Sequence, residues 1–129
     1  MKKYMSVFLC LCCVLVMVSC GDKAEPMELP QASQVKSVEV SIEENRIRHT
    51  DQTWIGDVLA EVSAAEPTRK QSVQDVPQAE HFIRVDIYFG EEMTSFFAYE
   101  DGGRYYIERP YQGIYKTDKN LYEKLQESE

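Results

Sequence analysis

Residues 82–109 read FIRVDIYFGEEMTSFFAYEDGGRYYIER. Three apolar and aromatic runs alternate here with two turn sequences, Gly-Glu-Glu and Asp-Gly-Gly. In the first run Ile83, Val85 and Ile87 occupy every second position, which is the period of a strand with one buried face. Short loops that contain glycine join antiparallel neighbours. The stretch therefore predicts an antiparallel meander of three strands, at residues 82–89, 93–100 and 104–109.

The segment before the meander predicts a hairpin and one main helix. An apolar residue at every second position over residues 37–42, a polar turn, and a second run at 46–49 favour two paired strands. Thr50 or Asp51 can cap a helix whose apolar residues recur at spacings of three and four, and Pro67 follows its end.

After the meander, the pattern indicates a short fourth strand at residues 114–116 and a last helix capped by Asp118. We therefore predict an α+β fold with a small antiparallel sheet, made of the N-terminal hairpin and a three- or four-strand meander. The sheet packs against one main helix, and a short C-terminal helix completes the domain.

Residues 1–19 have the order of an export signal. Lys2 and Lys3 precede an apolar run that ends at Val18 and is too short to cross the roughly 30 Å hydrocarbon core of a bilayer. The sequence MVSC at residues 17–20 resembles a bacterial lipobox, and this resemblance implies cleavage before Cys20 and attachment of a diacylglyceryl lipid to its thiol. The alternative is an ordinary secretory signal peptide.

The cysteine pattern fits the lipobox interpretation, because all four cysteines lie at or before position 20. Cleavage leaves Cys20 as the single cysteine, available for acylation such as palmitate. We expect a signal peptide at residues 1–19, a flexible tether at 20–35 and a single domain at 36–127, on the extracytoplasmic side of the cell membrane.

The charge of the chain limits its partners. The formal charge is −8, and removal of residues 1–19, which hold two lysines and no acid, makes it −10. Such a chain has no basic field for phosphates, so we do not expect nucleic acid as a partner. The same charge predicts repulsion from an anionic leaflet, with the domain held off the membrane on its tether.

Two segments resemble a known family. Residues 72–77 read SVQDVP and residues 105–115 read YYIERPYQGIY. These are similar to the signature stretches of an uncharacterised domain family found in lipoproteins and secreted proteins of Gram-positive bacteria. The resemblance implies export and a single domain, and it implies no activity because the family is classed as a domain of unknown function.

Catalytic patterns are sparse. Ser72, Asp75 and His81 supply the residue types of a hydrolase triad, but no G-x-S-x-G sequence surrounds the serine. Local turn or cap hydrogen bonds before Pro77 are the alternative role for Ser72 and Asp75. Glu108 is the best candidate for a catalytic acid, or else an ordinary strand residue. No metal-ligand spacing is present, and we expect no metal and no cofactor.

The tyrosine-rich segment is the best candidate for a binding surface, because tyrosine combines apolar area with a hydroxyl group. The residues we select for binding are Tyr105, Tyr106, Glu108, Tyr111, Gln112 and Tyr115, with Ser72 and Asp75 as a loop motif. The alternative is that the tyrosines divide between the core and the two faces of the sheet. We predict a non-catalytic binding or accessory module for an envelope protein, peptide or glycan. The alternatives are a cell-envelope hydrolase, and an inhibitor or sensory domain that acts on another exported protein.

Overall fold

The computed structural model describes residues 23–127, so the signal peptide and Cys20 lie outside the described residues. The described chain forms one seven-stranded antiparallel sheet with two α-helices, which confirms the predicted α+β class. The elements are β1 (Val35–Ile42), β2 (Asn45–His49), α1 (Gln52–Ser63), β3 (Glu66–Pro67), β4 (Ile83–Phe89), β5 (Glu92–Asp101), β6 (Arg104–Arg109), β7 (Gly113–Thr117) and α2 (Lys119–Gln126). A single 3₁₀ turn, Ala32–Gln34, leads into β1.

The strands follow the order β2-β1-β4-β5-β6-β7-β3. The predicted hairpin joins the meander through β1 and β4, where Val40 lies opposite Val85. The edge strand β3 was not predicted, because a two-residue strand has no periodicity to detect. Its Pro67 pairs with Tyr115 of β7, at an edge where proline's missing amide is tolerated.

Both helices begin at the predicted caps. The Asp51 side chain accepts hydrogen bonds from the amides of Thr53 (2.8 Å) and Trp54 (3.3 Å), and Asp118 accepts one from Leu121 (3.1 Å). The helices bury their apolar residues against the inward side chains of β1, β4, β5 and β6 in one core. Within residues 23–127 we find no helix with the length and apolarity needed to span a membrane.

The long loop at residues 68–82 covers the opposite face of the sheet. Tyr99, Tyr106 and Ile114 form a second buried cluster, and their neighbours in the strands belong to the core under the helices. Because side chains alternate along a strand, the second cluster lies on the far side. Phe82 closes this cluster with an edge-to-face contact to Phe97 at 5.4 Å.

The segment before β1 lies against the domain. Three hydrogen bonds hold its backbone: the Ala24 amide donates to the Thr68 carbonyl (3.2 Å), the Tyr115 hydroxyl donates to the Glu25 carbonyl, and Arg109 donates to the Glu28 carbonyl (2.8 Å). Met27 and Leu29 also pack on the helix-side core. The described part of the predicted tether, from Lys23 on, therefore contacts the sheet, because its few apolar side chains cover core residues.

Candidate functional site

The two segments at residues 72–77 and 105–115 meet at Ser72. The Ser72 hydroxyl donates a hydrogen bond to Glu108 Oε2 at 2.9 Å and accepts one from the Tyr111 amide at 3.2 Å. Both Ser72 and Glu108 are buried. One hydroxyl thus fixes the loop to the end of β6 and to the turn that follows it.

Glu108 receives a second hydroxyl donor from the neighbouring strand. Tyr99 of β5 donates to Glu108 Oε1 at 3.3 Å. Burial, and then the negative charge of Glu108, raise the pKa of Tyr99 above its usual range. Tyr99 therefore stays protonated as a donor, and the buried carboxylate has a partner on each oxygen.

Tyr111 is exposed and held in a fixed direction. Its backbone adopts a φ of 62°, a left-handed conformation that costs a tyrosine free energy, and its side chain is 66% exposed. The hydroxyl donates to Asp75 Oδ1 at 2.7 Å, and this hydrogen bond raises the pKa of Tyr111. The SVQDVP segment therefore positions Tyr111 twice, through Ser72 at the backbone and through Asp75 at the hydroxyl.

The other tyrosines selected from the sequence lie deeper. Tyr106 is buried on the loop side, where the Lys70 Nζ lies 4.3 Å from its ring centre. Tyr115 is buried under the N-terminal segment, and Tyr105 is half-buried against Tyr122, with ring centres 5.2 Å apart. The accessible part of the predicted patch is therefore Tyr111 with the exposed Gln112 beside it.

The residue types of a hydrolase triad, Ser72, Asp75 and His81, are not assembled into one. Ser72 is engaged with Glu108, and Asp75 accepts from Tyr111. The exposed His81 ring lies instead near carboxylates of Glu43 and Glu80, at 3.9 and 4.0 Å. Sequence proximity was misleading because the loop runs along the whole sheet face between Ser72 and His81.

The other histidine, His49, packs in the interior of the domain. His49 is buried and stacks on Trp54, with ring centres 3.7 Å apart. Trp54 thus covers the end of β2 from the first turn of α1, in agreement with its predicted packing role. Over residues 23–127 no group of three or more His, Cys, Asp or Glu side chains is placed to hold a metal ion.

A groove of about 640 Å³ runs between the loop and the β5–β6 end of the sheet. Its walls include Lys70, Val73, Val76, Tyr99, Glu100, Asp101 and Glu108. The loop valines point outward, with Val73 67% exposed and Val76 46% exposed. The sequence did not single out Tyr99 or these valines, because neither the turn chemistry nor the strand period marks them as surface contacts.

The chain matches the family DUF5301, described as a domain of unknown function (DUF5300), over residues 23–116. It belongs to this family. The DUF5301 match spans residues 72–77 and 105–115 and also the N-terminal segment that packs on the sheet. The resemblance to a domain-of-unknown-function family is thereby confirmed.

A solved structure is similar to this DUF5301 chain. The NMR structure of a protein from Ruminococcus gnavus is 34% identical, with a TM-score of 0.63, and the similarity covers 74% of this chain and 97% of the other. Among curated proteins none matches the chain. The solved structure thus supports the fold, and the family supplies no activity.

Proposed function

We propose that this DUF5301 protein is a lipoprotein, anchored through Cys20 on the extracytoplasmic side of the membrane, and that its domain is a non-catalytic binding module. The observation that carries the binding role is Tyr111, an exposed aromatic side chain held by Asp75 on a left-handed backbone. Strain that is retained at an exposed side chain is typical of a functional contact, because a structural turn is formed at lower cost by glycine or asparagine.

The hydrogen bonds of the site favour binding over hydrolysis. A serine nucleophile needs a base that can take its proton, and the Ser72 hydroxyl instead donates to a carboxylate already shared with Tyr99. The serine and the glutamate therefore hold the loop in place. Ser72 and Glu108 preorganise Tyr111 and the groove beside it, and this preorganisation lowers the entropy cost of binding.

Support for the anchor comes from the sequence. The order of residues 1–20 is that of a lipoprotein signal, and Cys20 is the single cysteine that remains after cleavage. Intact mass and membrane fractionation of the wild type and of Cys20→Ala, expressed in a Gram-positive host, test this part. We expect a diacylglyceryl mass increment on a chain that begins at Cys20, lost together with membrane retention in the variant. An unmodified chain in the medium would contradict the anchor.

The binding role is tested by photo-crosslinking in cells. The photoreactive residue p-benzoylphenylalanine replaces Tyr111 in one variant and Glu44 in a matched control. Glu44 is exposed in the turn between β1 and β2, at the opposite end of the sheet. We expect a discrete adduct, with protein, glycan or lipid, at position 111 and none at position 44. Equal labelling at the two positions would contradict a recognition surface at Tyr111.

A further inference from the structure

We infer that the Tyr111 end of the sheet rests on the bilayer, and that the partner of this surface is the phospholipid headgroup layer. The inference rests on the proposed lipid anchor at Cys20 and names the partner of the proposed binding module. It follows from where the N-terminal segment, the exposed apolar side chains and the nearby basic side chains lie.

The antiparallel order gathers several connections at one end of the sheet. The β6–β7 turn with Tyr111, the β4–β5 turn at Gly90 and the start of the long loop at Thr68 all lie there. Ala24 lies at the same end, because its amide donates a hydrogen bond to the Thr68 carbonyl at 3.2 Å. We call this the anchor end of the domain.

The chain between the lipid and the domain is short. Cys20 lies four residues before Ala24, so the chain between them spans at most about 14 Å. The opposite end of the sheet, at the β1–β2 turn, lies a full eight-residue strand away, about 23 Å along β1. A lipid on Cys20 therefore brings the anchor end nearest to the membrane.

Exposed apolar side chains mark the same end. In the part of the chain that the structure describes, the exposed large hydrophobic residues are Val73, Val76, Met93 and Tyr111. Tyr111 lies in the β6–β7 turn, Met93 is the second residue of β5, next to the β4–β5 turn, and Val73 lines a cavity at this end together with Tyr111 and Lys23. Tyrosine is favoured at a membrane interface, where its ring lies among acyl chains and its hydroxyl stays hydrated.

The local charge at the anchor end is mixed. Lys23, Arg69 and Lys70 are exposed around the same cavity as Tyr111, and an anionic lipid surface attracts basic side chains that lie close to it. Five exposed carboxylates at the same end oppose this attraction. They belong to Glu91 in the β4–β5 turn, Glu92 at the start of β5, Glu25 and Glu28 beside Gln112, and Asp75 beside Tyr111. The net charge of the chain predicts repulsion from an anionic leaflet, so the contact depends on the apolar side chains, on the short link to the lipid, and on the basic side chains that face the headgroups within the screening length of about 10 Å.

Reconstitution tests this orientation without cellular lipidation. The chain that begins at Cys20 is coupled through its single thiol to a maleimide phospholipid, in vesicles of phosphatidylcholine and phosphatidylglycerol. p-Benzoylphenylalanine is placed at position 111, at position 73, or at position 44 as the control. We expect lipid adducts at 111 and 73 and loss of the adduct at 44. Equal lipid labelling at all three positions, or labelling at 44 alone, would overturn the inference.

Hydrogen exchange on the wild-type chain gives a second readout that needs no substitution. Coupling to vesicles should slow exchange in the segments 70–75 and 110–113, relative to the free chain, and leave the β1–β2 turn unchanged. An unchanged rate in both segments would contradict lipid contact. A protein adduct at position 111 in cells, without a lipid adduct on vesicles, would overturn the lipid partner while leaving the proposed binding role intact.

The basic side chains are tested with charge-matched variants. Lys23→Gln/Arg69→Gln/Lys70→Gln should lower the yield of lipid adduct at position 111 on the anionic vesicles. The control Arg46→Gln/Arg48→Gln/Lys119→Gln removes the same charge from exposed positions near the other end of the sheet and should leave the yield unchanged. An equal loss in both variants would assign the attraction to net charge and contradict a basic contact surface at the anchor end.

Discussion

Ser72 and Glu108 are separated by 36 positions in the sequence, yet the serine hydroxyl lies 2.9 Å from the glutamate carboxylate in a buried contact. The contact joins the segments 72–77 and 105–115 of the DUF5301 chain. The same hydroxyl accepts from the Tyr111 amide, so the loop, the end of β6 and the exposed tyrosine form one hydrogen-bonded unit. The position of Tyr111 therefore depends on a serine far away in the sequence.

Replacement of Ser72 by alanine leaves one oxygen of Glu108 without a donor and the Tyr111 amide without an acceptor. Buried polar groups that lose their partners cost about 1–3 kcal/mol, and we expect the free energy of unfolding to fall by that amount. Equilibrium denaturation in urea measures the change. Ser63→Ala is the control, since Ser63 is exposed in the last turn of α1 and should change stability little. Equal effects of the two substitutions would contradict the role of Ser72.

Glycine at position 111 separates the function of the tyrosine from its effect on stability. Tyr111→Gly and Tyr111→Ala both lose the hydrogen bond to Asp75, but only glycine adopts a φ of 62° without steric strain. We expect Tyr111→Gly to be more stable than Tyr111→Ala by about 1 kcal/mol, while both lose the crosslinked or bound partner. Glu43, with a φ of 55°, provides the matched pair Glu43→Gly and Glu43→Ala, for which partner binding should persist. A glycine variant less stable than the alanine variant would contradict the left-handed backbone conformation at position 111.

Most of the fold was predictable because its signals are local. Asp51 and Asp118 cap the helices through hydrogen bonds to residues two or three positions ahead, and the glycine turns set the meander. The two-residue strand β3 was missed, since its pairing with β7 is a tertiary event. The contacts of the N-terminal segment were not predicted, for a similar reason. Its polar composition resembles a linker, and its contacts come from separated residues such as Met27 and Leu29.

The site was predictable only as a set of residue types. The sequence pointed to Ser72, Asp75, Glu108 and Tyr111, and the structure brings all four together. The sequence does not reveal that Tyr106 and Tyr115 are buried on opposite faces of the sheet, because strand propensity and recognition both favour tyrosine. Nor did the sequence identify Tyr99 as the second donor to Glu108, which depends on the register that sets Phe97 opposite Glu108.

The raised pKa of Tyr99 predicts a loss of stability in alkali. The folded chain holds this proton more tightly than the unfolded chain, where tyrosine titrates near 10.0, so the stabilisation is complete below that pH and is lost as the pH rises above it. We expect the urea midpoint of the wild type to fall above pH 10.0 more than that of Tyr99→Phe. Tyr111→Phe is the control, because the exposed Tyr111 hydroxyl should contribute less to this slope. Parallel slopes for the wild type and Tyr99→Phe would contradict the burial of the Tyr99 hydroxyl beside Glu108.

Gly113 tests whether the N-terminal segment belongs to the folded domain. A Cβ atom at this position would lie 2.3 Å from the Ala24 Cβ, so Gly113→Ala must displace the segment. We expect a loss of about 1–3 kcal/mol in the free energy of unfolding. We also expect faster hydrogen exchange of the Ala24 amide, which is hydrogen-bonded to the Thr68 carbonyl. Gly56→Ala is the control, because its Cβ would meet Ala32 at an ordinary 4.0 Å and alanine favours the helix.

The second substitution Ala24→Gly distinguishes this clash from a general effect at position 113. Without the Ala24 Cβ, the nearest atom of residue 24 is the Cα at 3.7 Å, which is an ordinary contact. The double variant Gly113→Ala/Ala24→Gly should therefore recover most of the stability lost by Gly113→Ala, as a positive coupling in a double-mutant cycle. If the two substitutions are simply additive, Ala24 does not lie against Gly113, and the short link between Cys20 and the sheet, on which the membrane-facing orientation depends, is lost with it.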